Sequence, residues 1–197
     1  MKPYKQTTEY TTAASSILTI LSHFNKLKPT EENELKIWRA SVTLPTRASS
    51  IYSLALIAKE LNPIIIVEIK EYDFPDYRFY RYSKEDIEIA TKSSDIHLQQ
   101  AINHNIEIKE EEITIKQIKQ LLKENILLLR LNTKPIRNSN RNNSNFLVVY
   151  DFNNNYKIID PLQGDLEVTE QIFNEAFKTL ATKKHRAHKM IVFKKTL

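Results

Sequence analysis

With 197 residues, 41% of them hydrophobic and 27% charged, the chain has enough apolar material for a core and an ordinary soluble surface, so a single domain over residues 1–197 is expected. No apolar run approaches the roughly 20 residues that cross a bilayer, and Met1-Lys2-Pro3-Tyr4 leads straight into polar residues, which predicts a cytoplasmic protein with no membrane insertion. There is no cysteine, which removes disulfides and thiolate metal sites, and the net charge of +5 is diluted by interspersed acids such as Glu110-Glu111-Glu112, so a solvated basic surface is expected rather than a nucleic-acid site.

In chain order, Ala13, Ala14, Ile17, Leu18, Ile20, Leu21 and Phe24 recur at helical spacing and predict a buried helix from Thr12 to about Asn25. Glu31 to Val42 reads as a second helix with Thr30 as N-cap, and Ser49 to Leu61 as a third, ended by Pro63. The β-branched run Ile64 to Ile69 is a strand, followed by the aromatic, turn-rich segment Tyr72 to Tyr82. Ser83 starts a helix that continues to about His104, Ile106 to Ile108 makes a short strand, and a helix over Ile115 to Asn125 leads into the strand Ile126 to Leu131. Lys134 to Asn143 is basic and rich in Asn and Ser, a flexible loop by composition. Asn145 to Tyr150 and Tyr156 to Ile159 form a hairpin across Asn153-Asn154-Asn155, Val168 to Leu180 is an amphipathic helix, and Met190 to Phe193 closes an antiparallel sheet. Helices gathered before such a sheet give an α+β architecture.

Three segments carry a chemical pattern. The first is Tyr4-Lys5-Gln6-Thr7-Thr8-Glu9-Tyr10-Thr11-Thr12-Ala13-Ala14, the second Asn145-Phe146-Leu147-Val148-Val149, and the third Ile158-Ile159-Asp160-Pro161. Together they resemble the bacteriocin-processing peptidases that cut after double-glycine leaders. The likeness is closest to a stand-alone branch found beside N-acetyltransferases, whose Leu-Trp-Arg-Glu-Ala-Thr-Thr segment is matched by Leu35 to Thr43. The resemblance implies a papain-like cysteine peptidase fold. It also implies that Gln6 stands at the oxyanion donor, Thr12 at the cysteine nucleophile, Asn145 at the general-base histidine and Asp160 at the carboxylate that orients it. Where the family has a Gly-His-Gly-Gly stretch this chain has Leu44 to Ser50, and Gly164 is its only glycine, so a narrower or differently shaped cleft is expected.

A threonine hydroxyl is hardly ionised near neutral pH and needs a base, which an asparagine amide cannot be. Structural roles compete for each position: Thr12 as an N-cap, Asn145 and Asp160 hydrogen-bonded to one another across the hairpin, Trp38 as core, and His185 and His188 as solvated residues rather than metal ligands. Two functions remain open. One is a catalytically inactive homologue that binds a peptide or protein partner in the relic cleft, with Gln6, Thr12, Arg137, Arg141 and Asn145 as contacts and no cofactor or metal. The other is a hydrolase or acyltransferase using Thr12 with an unidentified base.

Overall fold

The computed structural model describes residues 1–69 and 82–196. The chain runs α1 (Thr12–His23), α2 (Glu31–Ser41), β1 (Val42–Thr43), β2 (Ala48–Ser49), α3 (Ile51–Ile57), a 3₁₀ turn (Lys59–Leu61) and β3 (Ile64–Val67). It continues through α4 (Lys84–Asn103), β4 (Glu107–Glu110), α5 (Ile115–Leu121), β5 (Asn125–Asn132), α6 (Thr133–Arg137), β6 (Ser144–Asn153), β7 (Asn155–Asp160), β8 (Gly164–Thr169), α7 (Glu170–Thr182) and β9 (Lys189–Lys194). The aromatic segment expected to pack over the core or to bind a partner lies, from Tyr72 to Arg81, outside the described residues.

Seven strands form one sheet in the order β4-β3-β9-β5-β6-β7-β8. The sheet is antiparallel except for β3 and β4, which pair in parallel with Ile64 opposite Glu107. The side-chain alternation of a strand sends its residues to two cores. On one face Ile65, Val67, Leu128, Val148 and Phe193 meet Ile17, Leu18 and Leu21 of α1 and Leu54 of α3. On the other, Ile66, Leu127, Leu129, Val149 and Ile158 meet Ile118 and Leu122 at α5 and Phe173 of α7, where Tyr156 and Phe173 stack at 3.7 Å. The α+β expectation therefore holds in outline, with helices on both faces of the sheet instead of gathered ahead of it.

Several boundaries follow local chemistry as expected. Thr30 caps α2 by accepting from the Asn33 backbone, and Ser83 with Asp86 forms a reciprocal capping box at α4. Asn154, at φ 63, makes the left-handed residue of the β6–β7 turn. Other expectations need correction. The helix expected from Val168 begins at Glu170, because Gly164 to Thr169 pairs with β7 as an edge strand and Thr169 becomes the cap. The expected flexible loop after Lys134 is helical through Arg137: Asn132 caps it, and Pro135 sits in the first turn, where its missing N–H costs nothing. His188, expected to be solvated, is buried. Its Nδ1 lies 2.9 and 3.0 Å from the Glu68 carboxylate oxygens and its Nε2 3.0 Å from the Phe177 carbonyl, while the ring stacks on Phe177. It clasps the end of β3 to α7.

The N-terminal segment is fastened to α2 by one residue. Glu34 is completely buried, and its carboxylate accepts from the Tyr4 hydroxyl, the Thr7 amide and hydroxyl, the Thr11 hydroxyl and the Ser15 hydroxyl. Burial alone would raise its pKa, but the hydrogen bonds from Thr11, Thr7 and Ser15 together outweigh it and hold the carboxyl below its ordinary value. The same arrangement pushes the Tyr4 phenol up to about 12, by burial first and by the Glu34 carboxylate second. A carboxylate whose folded pKa is depressed stabilises the fold above its unfolded value near 4.5, and that contribution is lost as pH falls through the folded pKa. Glu34→Gln is expected to lower stability at pH 7 by about 2–3 kcal/mol, the scale of hydrogen bonds to a buried charge. Denaturant titrations of both proteins should show the gap narrowing as pH falls below 4.5, and a gap of unchanged size in acid would mean that the carboxylate charge is not its source.

Candidate functional site

A cleft of about 730 Å³ opens where the N-terminal segment and α1 meet the ends of β5 and β6 and the tip of the β1–β2 hairpin. Of the residues singled out in the sequence, Gln6, Thr12, Arg137, Arg141 and Asn145 line it. Asp160 does not reach it; it is fully buried behind Arg137.

Each residue is positioned by its neighbours. Gln6 is tied to the β7–β8 turn by its backbone N–H, which donates to the Pro161 carbonyl at 3.0 Å. Thr12 is the first helical residue of α1 and is nearly buried, while Thr11 occupies the cap position without a side-chain cap bond, its hydroxyl turned to Glu34. Thr12 is thus not the N-cap that its sequence position suggested. One turn further on, the Ser16 hydroxyl donates to the Phe146 carbonyl at 2.8 Å and pins α1 to β6 beside Asn145. The turn Asp160-Pro161-Leu162-Gln163-Gly164 closes with Gly164 at φ +97, a conformation for which glycine is the natural residue. The family's glycine-rich stretch is replaced here by a hairpin tip locked by threonines: the Thr46 hydroxyl donates to the Thr43 carbonyl at 2.7 Å and the Thr43 hydroxyl to the Ala48 carbonyl at 2.9 Å. Arg47 at that tip is exposed and left-handed at φ 58, with its guanidinium 6.0 Å from the centre of the Tyr10 ring.

The hydrogen-bond directions decide what these groups can do. The Thr12 hydroxyl donates to the Gln6 side-chain oxygen at 2.9 Å, and the Gln6 side-chain nitrogen donates to the Thr8 carbonyl at 2.9 Å. Turning the amide over would set its oxygen against a carbonyl oxygen, so the Thr8 carbonyl fixes this orientation. Gln6 therefore accepts a hydrogen bond from Thr12 and donates its own to Thr8, the reverse of an oxyanion donor. Asn145, opposite Leu131 on β5, directs its side-chain nitrogen to the Thr133 hydroxyl at 3.4 Å. The expected bond between Asn145 and Asp160 is not formed. Asp160 instead takes Nε and Nη2 of Arg137 at 2.6 and 2.7 Å and also accepts the Leu162 amide at 2.9 Å. A guanidinium outcompetes an amide for a buried carboxylate because it brings both charge and a matching pair of donors.

None of the five histidines lines the cleft. Among the described residues that do, Arg47, Arg130, Arg137, Arg141, Lys184 and Arg186 are basic and only Glu9 is acidic. Two residues important to the site were not anticipated. Glu34, in a helix rich in charged residues, gave no sign of burial beyond the density of Thr and Ser between Thr7 and Ser15, and Arg47 could be found only from its place opposite Tyr10.

Among solved structures the chain is similar to a double glycine motif protease from an AMS/PCAT transporter, crystallised in complex with the leader peptide. The two share 15% sequence identity, the match covers 98% of this chain and 90% of that one, and the TM-score is 0.47. No curated protein matches. The model of the Peptidase_C39 like family matches residues 1–196, practically the whole sequence, and the chain belongs to that family.

Proposed function

We propose that this chain is a non-hydrolytic peptidase homologue of the cytoplasm that holds a peptide, or a segment of a protein partner, in the relic cleft. One observation carries the reading: the hydroxyl at the nucleophile position donates its hydrogen bond to a side-chain amide oxygen, which cannot take the proton in catalysis. The cleft itself remains, at a volume suited to several residues of a bound chain, and its lining is basic.

The proposal excludes turnover of peptide libraries followed by mass spectrometry, for the parent protein and for Thr12→Ala alike. Cleavage or acyl transfer that disappears in Thr12→Ala but survives in Asn145→Ala would overturn it in favour of a threonine nucleophile. Reinstating the family residues sharpens the test. In the Thr12→Cys, Asn145→His double variant the new imidazole finds Asp160 already paired with Arg137, and loss of the orienting carboxylate costs a catalytic triad about 10⁴-fold. Activity is therefore expected only when Arg137→Ala is added, and a double variant as active as the triple would show that Asp160 is not the obstacle.

Association with an acidic peptide should weaken as salt rises, because screening shortens from about 10 Å at 0.1 M to about 3 Å at 1 M. Titration of a fluorescent acidic peptide should show Arg47→Glu and Arg141→Glu reducing both the affinity and its salt dependence, since both residues are exposed on the cleft wall. Affinity indifferent to both reversals would place recognition elsewhere.

A further inference from the structure

We propose that Arg137, gripped from behind by Asp160, is the anchor for a carboxylate group of the bound peptide; the inference rests on the peptide-binding reading above and names what that peptide must carry. A guanidinium has five N–H donors in a rigid plane. Two of them, on Nε and Nη2, are taken by the two oxygens of Asp160, at 2.6 and 2.7 Å. The remaining three lie along the edge that carries Nη1 and the outer hydrogen of Nη2, and this edge faces away from Asp160. Arg137 lines the cleft while Asp160 is wholly buried, so the free edge is the one available to a ligand.

The buttress is built, not incidental. Asp160 sits at the end of β7, its Oδ1 also receives the Leu162 amide, and the turn that places it closes on the chain's single glycine. The Arg137 side chain is only 11% exposed, so its rotamers are already restricted before a ligand arrives and little further side-chain entropy is lost on binding. A planar fork held still at the wall of a basic cleft matches the two oxygens of a carboxylate. Asp160 cancels much of the long-range charge of Arg137, so the residue contributes direction more than attraction; Asp160 acts as a positioning residue. The carboxylate has two sources in a peptide, the C-terminus or an acidic side chain, and the chemistry of the fork is the same for both.

The test uses three fluorescent ten-residue peptides of equal length and apolar content: neutral with an amidated end, neutral with a free C-terminal carboxylate, and amidated with internal glutamates. In anisotropy titrations, at least one carboxylate-bearing peptide should bind the parent protein about tenfold tighter than the neutral amide, and which one does so identifies the source. Arg137→Lys keeps the charge but loses the fork, and should shrink that preference to about threefold or less. Asp160→Asn makes the cleft more positive yet frees the guanidinium, and should also shrink the preference, whereas a site working by net charge would show it grow. Circular dichroism melts report whether each variant folds, and the peptide comparison on the parent protein needs no variant at all. Equal binding of all three peptides, or a preference enlarged by Asp160→Asn, overturns the carboxylate anchor and leaves the peptide-binding reading standing. Binding of none of them overturns both.

Discussion

The arrangement of the cleft depends on one buried carboxylate. Glu34 lies at zero exposure in α2, yet most of its partners are in the N-terminal segment and the first turns of α1. An unpaired charge so placed would cost several kcal/mol; here hydroxyls and an amide from Tyr4, Thr7, Thr11 and Ser15 surround it. The energetics run in both directions. The segment is ordered because it satisfies the acid, and the acid tolerates burial because the segment wraps it. Gln6 and Thr12, which sit within that wrapped stretch, inherit their positions from it.

On this frame the hydrogen bonds around the cleft hold protons in place. A hydroxyl donates to an amide, the amide donates to a carbonyl, and a carboxylate is neutralised by an arginine. The cleft also presents fixed donors, exposed guanidinium groups and an aromatic ring at its rim.

How much of this was legible in the sequence varies with distance along the chain. Elements set by local signals were readable: the Thr30 and Ser83 caps, the β-branched run at Ile64 and the Asn154 turn all depend on residues within four of each other. β8 was not, since Asp165 to Thr169 offers only Leu166 and Val168 as alternating apolar residues, and its pairing with β7 is what makes it a strand. The short α6 was hidden by a composition that suits a loop as well as it suits a capped turn. At the site, of the four positions the pattern named, Gln6, Thr12 and Asn145 line one cleft and Asp160 does not, and the pattern did not give their partners. Arg137 and Asp160 are 23 positions apart, Glu68 and His188 are 120 apart, and each bond is decided by tertiary packing that composition cannot report.

The Arg137–Asp160 pair also shapes what the chain can become. Under the non-hydrolytic reading proposed above it would act, in evolutionary terms, as a ratchet. A lineage that regained a cysteine alone would have no base, one that regained a histidine alone would find its carboxylate occupied, and one that lost the arginine alone would leave a buried acid without its counterion. On that reading no single one of these steps completes a triad. Arg47 and Arg141, by contrast, lie exposed at the rim, where a substitution leaves this buried pair untouched.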